Sequence, residues 1–181
     1  VDDPSYPIGN WSNSFQYDNH TSFSPNCDKT YVPDDNFEAY LETHDAGGNV
    51  VSVGDANSMG DGIANNDYVT TANISGVTYL NLRNSGNGLN ISDLTGIEDF
   101  TALVYLNCAR NQLTSLDVSQ NTTLNELYCN NNQLTNLDLS HFIGYLGCDY
   151  NQLTNLDVRN NSYMEELFCS NNQLTTLDVT Q

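Results

Sequence analysis

The chain has 181 residues, 38% of them hydrophobic, and a formal charge of −19 from four Lys and Arg against 23 Asp and Glu. Its length suits one domain with a real core, and its charge excludes nucleic acid, whose binding rests on neutralising phosphates, and anionic membrane surfaces. No run approaches the roughly 18–20 apolar residues of a membrane helix, so membrane insertion is excluded as well; such an acidic surface suits metal cations, basic partners or a salty medium.

Residues 1–30 come first. Val1-Asp2-Asp3-Pro4 lacks the basic start and apolar stretch of a signal peptide, so an exported protein would be in its mature form here. The segment is rich in Ser, Asn and aromatics (Tyr6, Trp11, Phe15, Tyr17, Phe23) and has no period. Its rings suit a cover over open strand edges of the repeats that follow, and a linker from a preceding domain is the other reading. Residues 31–75 read as an N-terminal cap. Pro33 to Leu41 predicts a short helix, with Asp34 and Asp35 in its first turn and Phe37, Tyr40 and Leu41 at helical spacing.

Between helix and repeats lies DAGGNVVSVGDANSMGDGIANNDYV, residues 45–69, with four Asp, four Asn and five Gly. Oxygen ligands at this density suggest calcium. Asp55-x-Asn57 followed by Gly60 resembles the opening of an EF-hand loop, but Met59 occupies a ligand position and no Glu closes the loop. Asp61, Asn65 and Asp67 offer a tighter turn for the same ion. The competing reading is that Asp, Asn and Gly are simply what turns are made of.

From Leu106 onward the chain repeats itself. The pattern L-x-C-x-x-N-Q-L-T-x-L-D-[VL] begins at Leu106, Leu127, Leu146 and Leu167, and its cysteines, Cys108, Cys129, Cys148 and Cys169, are 21, 19 and 21 residues apart. A period in this range predicts a solenoid, in which each unit buries its apolar edge on its neighbours. Two short alternating segments sit in each unit, Leu106-x-Cys108 and Leu116-Asp117-Val118, placing Leu, Cys and Val inward. Asn111, Asn132, Asn151 and Asn172 form a column at the following turn, where an amide can donate to carbonyls left unpaired inside. The cysteines then act as small hydrophobes stacked one strand spacing, ~4.8 Å, apart. No Cys-x-x-Cys or Cys/His cluster points to zinc, and the fifth cysteine, Cys27, makes the total odd. The third repeat is two residues short at SHFIGYLGC, which tightens a loop without breaking the stack.

The outward side of the first segment carries Tyr105, Asn107 and Ala109, then Glu126, Tyr128 and Asn130, then Tyr145, Gly147 and Asp149, then Glu166, Phe168 and Ser170. Each rung has one aromatic, flanked by acids and amides, the composition of interface anchors. Ring stacking that merely stabilises the strands is the alternative. The second segment carries Asp117, Asp138, Asp157 and Asp178, a like-charge column that needs solvent, neighbouring hydroxyls, Arg159 or cations to compensate it. Catalysis finds no support: His20, His44 and His141 are scattered. Glu165 and Glu166, read as strand neighbours, point to opposite faces and cannot flank one bond.

The segment Leu103-Val-Tyr-Leu106-Asn-Cys108-Ala-Arg-Asn111-Gln-Leu113 resembles the conserved segment of leucine-rich repeats. The 21-residue version followed by L-x-x-L-D-[VL] resembles the nested IRREKO class of secreted bacterial proteins. Tyr31 to Leu41 and Ile91 to Phe100 resemble the leader and first irregular repeat of such proteins. The resemblance implies a mainly β leucine-rich-repeat solenoid of short parallel strands over 76–181, with a short N-terminal capping helix, and with the repeats continuing or cut after Gln181. It further implies export to the bacterial surface or beyond and binding of a protein or surface glycan through the strand face, at Tyr105, Asn107, Glu126, Tyr128, Asn130, Tyr145, Asp149, Glu166 and Phe168. The other function class is a structural spacer or stalk in a larger surface protein or filament, stiffened by calcium.

Overall fold

The computed structural model describes residues 28–83, 86, 88–139 and 143–177. The aromatics of the first 26 residues, together with Cys27, His20, His141 and Asp178, lie outside them.

The first strand of the described residues, β1 (Lys29–Tyr31), pairs antiparallel with β2 (Tyr68–Thr70), Lys29 opposite Thr70. Between them runs α1 (Asp35–Thr43). The helix starts two residues later than Pro33, because Asp34 is its N-cap: the Asp34 carboxylate accepts from the N–H of Asn36 (3.0 Å) and Phe37 (3.1 Å). Phe37 and Leu41 are fully buried, and the Phe37 ring stacks on Phe100 of the first irregular repeat with centroids 6.3 Å apart. A one-turn helix, α2 (Thr71–Ile74), leads into the repeats.

Five three-residue strands form one parallel sheet in chain order: β3 (Tyr79–Asn81), β4 (Tyr105–Asn107), β5 (Glu126–Tyr128), β6 (Tyr145–Gly147) and β7 (Glu166–Phe168). The register is exact, with Leu80, Leu106, Leu127, Leu146 and Leu167 opposite one another. Sheet pairing extends to the cysteine column, where the N–H of Cys108, Cys129 and Cys148 reach the carbonyls of Tyr128, Gly147 and Phe168 at 2.7–2.8 Å. These three thiols are buried and free of disulfides, and burial drives those of Cys108 and Cys148 up to about 12, so they stay neutral and apolar in behaviour.

Each ladder asparagine spans two rungs. The Asn132 amide donates to the carbonyls of Cys108 (3.1 Å) and Cys129 (3.0 Å), and its oxygen accepts from Leu113 N–H (3.0 Å). Asn151 and Asn172 repeat this one and two rungs on. The residue before each is left-handed: Arg110, Asn131, Tyr150 and Asn171 have φ between 54° and 61°. Leu116 and Val118 are buried and Asp117 is exposed, as alternation requires, but Leu116-Asp117-Val118 forms no strand element. A second buried pair, Asn121 and Asn161, ties the opposite edge: Asn121 donates to the carbonyls of Ile97 and Phe100, and Asn161 to that of Leu139. In the short third repeat, Gly144 lies where a Cβ would come within 2.7 Å of the Asn125 side chain.

Candidate functional site

In register across the sheet, one outward column reads Tyr79, Tyr105, Glu126, Tyr145, Glu166 and the next Asn81, Asn107, Tyr128, Gly147, Phe168. The sheet therefore aligns seven of the nine expected strand-face residues in two columns, and the other two, Asn130 and Asp149, follow β5 and β6 and bond to each other. Phe168 and Glu166 are exposed, and Tyr105, Glu126, Tyr128, Asn130, Tyr145 and Asp149 are half-buried. Asn107 is buried; its amide donates to the Tyr105 hydroxyl (3.3 Å) and its oxygen accepts from Ala109 N–H (3.1 Å), so it supports its neighbours.

The rings touch at the N-terminal end. Tyr79 and Tyr105 stack 4.3 Å apart at 12°, and Tyr105 meets Tyr128 at 5.6 Å and 45°. Tyr128 leans over β6 because Gly147 has no side chain there; a Cβ at 147 would lie 2.9 Å from the ring. Farther along, polar contacts replace rings. Asn130 donates to Asp149 (2.9 Å), whose other oxygen accepts from Ser170 N–H (2.8 Å) and Oγ (2.7 Å). The Tyr145 hydroxyl donates to Glu165, and this bond with the charges around it raises the phenol to about 12. Burial, and then the charges of Glu126 and Glu166, raise Tyr128 as well. The phenols are thus neutral hydroxyl donors at physiological pH. The face offers flat rings, hydroxyl donors and carboxylate acceptors together.

Glu165 corrects an expectation. It lies one residue before β7, so strand alternation does not govern it, and it joins Tyr145 at the outer surface beside Glu166. The sequence reading also missed Tyr79, Asn81 and Arg83. The signal was present: Tyr79-Leu80-Asn81-Leu82 matches Tyr105-Leu106-Asn107-Cys108 with Leu in place of the cysteine.

The Asp/Asn/Gly loop is organised around helix carboxylates. Glu42, fully buried, accepts from the N–H of Asp61 (2.6 Å) and Gly62 (3.1 Å). Gly60 permits this approach, since a Cβ there would lie 2.1 Å from the carboxylate. Glu38, also fully buried, accepts from the N–H of Asn66 (3.0 Å) and Asp67 (3.2 Å). Asp34 accepts from Ser92 N–H and Oγ, both at 2.8 Å, which clamps the cap to the repeats. Of the residues expected to hold calcium, Asp55 accepts from Asn57 N–H (2.9 Å) and side-chain amide (3.0 Å), and Asp61 pairs with Lys29 at 2.9 Å. Asn65 and Asp67 have left-handed backbones, with φ 58° and 62°. Among the described acids, the oxygens of Asp67 converge with those of Asp35 and Glu38 within 4.8 Å, while Asp55 and Asp61 stand outside that group. Along the outer aspartate column, Asp117 accepts from Ser119 N–H (2.9 Å), and Asp157 is held at about 2 by the Arg159 guanidinium.

The functional domain of InlJ from Listeria monocytogenes, a solved structure described as including a cysteine ladder, superposes with a TM-score of 0.64 at 36% identity, over 83% of this chain and 30% of that one. The chain has the leucine-rich-repeat fold. Internalin J of Listeria monocytogenes is 42% identical over 56 residues, which cover 31% of this leucine-rich-repeat chain and 6% of Internalin J. The chain therefore spans under a third of either relative. No protein-family model matches it. Among the described residues, no helix is long and apolar enough to cross a membrane.

Proposed function

We propose that this leucine-rich-repeat chain is a non-enzymatic binding module, exported to the bacterial surface or beyond, that grips a protein or surface glycan through its strand face. Residues 31–75 serve as its cap and 76–181 as its solenoid, with residues 1–30 as a cover or linker. The observation that carries the reading is the single aromatic on every rung of a sheet whose outer columns otherwise hold acids, amides and Gly147. Large rings on a rigid sheet give contact area at low entropy cost, and hot spots are enriched in such residues. A partner suited to this face presents basic or amide groups to Glu126, Asp149 and Glu166, and an apolar patch to Tyr128 and Phe168. Screening the purified chain on protein and glycan arrays identifies the partner class. Substituting Tyr128→Ser and Phe168→Ser together should abolish capture while leaving the melting temperature nearly unchanged; retained capture would move the site off this face.

A structural spacer is the second reading, favoured by the stacked run Tyr79, Tyr105 and Tyr128, whose rings use part of their surface on one another. It expects no hit on either array and a melting temperature lowered by several degrees in the double variant. For calcium at Asp55, Asn57, Asp61, Asn65 and Asp67, the measurement is the melt with and without chelator; an unchanged melt removes the ion.

A further inference from the structure

β3 is the first strand of the five-stranded sheet and, among the described residues, has a strand neighbour on one side only. On that side Tyr105 stacks on the Tyr79 ring, yet Tyr79 remains 48% exposed. At the junction with the cap stand Tyr40 and His44, stacked with ring centroids 4.0 Å apart and 11° from parallel. Burial first, and the nearby Tyr79 phenol second, raise the Tyr40 hydroxyl. Tyr40, His44 and Tyr79 line a hollow of about 530 Å³, together with Asn81, Arg83 and Leu89.

The lining reverses the chemistry of the rest of the surface. In a chain of 23 acidic and four basic side chains, the hollow is lined by one of the four and, among the described residues, by no acid, while the Asp45 carboxylate beside it is engaged by the Asn49 amide and the Gly47 N–H and acts on Tyr40 and His44 from outside the lining. Arg83 is exposed and takes part in neither ion pair found among the described residues. His44 Nδ1 lies 2.9 Å from the Tyr40 carbonyl oxygen, which can only accept, so Nδ1 carries the hydrogen. Nε2 is left for a ligand hydroxyl. The Asn81 oxygen accepts from Arg83 N–H (3.1 Å), which leaves its amide hydrogens available.

We propose that this hollow binds one carboxylated sugar ring, a uronic or sialic type of residue at the end of a glycan. The Arg83 guanidinium donates to the carboxylate, the rings of Tyr79 and Tyr40 flank the apolar C–H faces, and His44 and Asn81 meet hydroxyls. A planar guanidinium matches a carboxylate in two parallel hydrogen bonds. The volume suits a small ligand fixed by a few convergent polar groups. An aspartate or glutamate side chain would satisfy Arg83 but leave the aromatic surface wet. A polyanionic chain would meet the repulsion of the −19 surface, so one terminal carboxylate fits where many do not. The site is separate from the rungs of β5–β7 and stands whether or not they bind a partner.

The test is an NMR titration of the purified chain, at physiological salt, with glucuronic acid and with N-acetylneuraminic acid, using glucose and glutamate as controls. At least one carboxylated sugar should give saturable shifts at residues 44–48 and 79–83, and neither control should. Arg83→Gln, at an exposed position, should weaken binding roughly tenfold or more with an unchanged thermal melt, as expected for a lost charge-assisted pair. Tyr79→Ala should weaken it as well. The proposal is overturned if neither carboxylated sugar saturates, if glucose or glutamate binds equally, if Arg83→Gln binds like the parent, or if the shifts fall only on β5–β7.

Discussion

In the cap, Asp34, Glu38 and Glu42 stand one helical turn apart, and each accepts backbone N–H groups from a distant segment: residues 92–93, 66–67 and 61–62. In the solenoid, Asn111, Asn132, Asn151 and Asn172 satisfy buried backbone with neutral amides. The difference follows from what each backbone leaves unpaired. An irregular loop turns successive N–H groups inward, and a carboxylate, which only accepts, can take several of them. A coil repeated in register leaves at each turn one carbonyl, which accepts from two successive asparagines, and one N–H, a pair that calls for a group that both donates and accepts. Charge is the consequence: the cap buries acids, while the solenoid keeps its interior neutral.

The largest expected effects break each device in turn. Glu42→Ala removes the acceptor of the Asp61 and Gly62 N–H groups and leaves a cavity where the buried side chain stood, which should cost about 3 kcal/mol in a urea melt. Asn132→Ala strands the Leu113 N–H and takes one of two amide donors from each of the Cys108 and Cys129 carbonyls, which keep Asn111 and Asn151; it should cost about 2 kcal/mol. If the first variant were much milder than the second, the loop would not depend on its buried acid.

Next comes Lys29, which together with Asn66 anchors Asp61. Burial alone would raise the Asp61 carboxyl, but the Asn66 amide and the Lys29 ammonium hold it below its ordinary 3.8. A depressed carboxylate contributes stability above its unfolded value and loses it as pH falls through the folded one. Lys29→Gln should therefore cost about 2 kcal/mol at neutral pH. That gap from the parent should close as the pH falls below Asp61's depressed value. Glu42 has the opposite sign: burial raises it above 4.5, so its contribution is full below that value and lost as pH rises through the folded one. Acid titrations of parent and variant, followed by circular dichroism, separate the two.

The smallest effect sharpens the solenoid side. Tyr150 occupies the left-handed column at φ 54° and is exposed, whereas the corresponding residues before Asn132 and Asn172 are asparagines. Tyr150→Asn should raise stability by about 0.5–1 kcal/mol, seen as a higher melting temperature.

The repeat was legible because its signal is short and recurs: Leu, Cys and Asn at fixed offsets define the inward columns without knowledge of anything distant. The capping helix was legible to within two residues, and its true start at Asp35 reflects Asp34 acting as the cap. Harder to see were Asp34, Glu38 and Glu42. Their spacing of four is plain in the sequence, but an acid stripe on a helix ordinarily faces water, and nothing local says that loop amides cover it. β3 was missed because Leu82 stands where later rungs have cysteine, and β1 because its partner β2 lies some forty residues away.

The sequence by itself determined that the coils from Leu106 onward stack and which of their side chains line the interior, because in a solenoid each coil contacts chiefly its neighbours and the period encodes that contact. Only the tertiary structure decided which rings touch, which amides the buried acids serve, and that a hollow lined by Arg83 and, among the described residues, no acid opens between the cap and β3. Those features arise where two differently built parts meet, and their relative placement is set by long-range packing that no local spacing records.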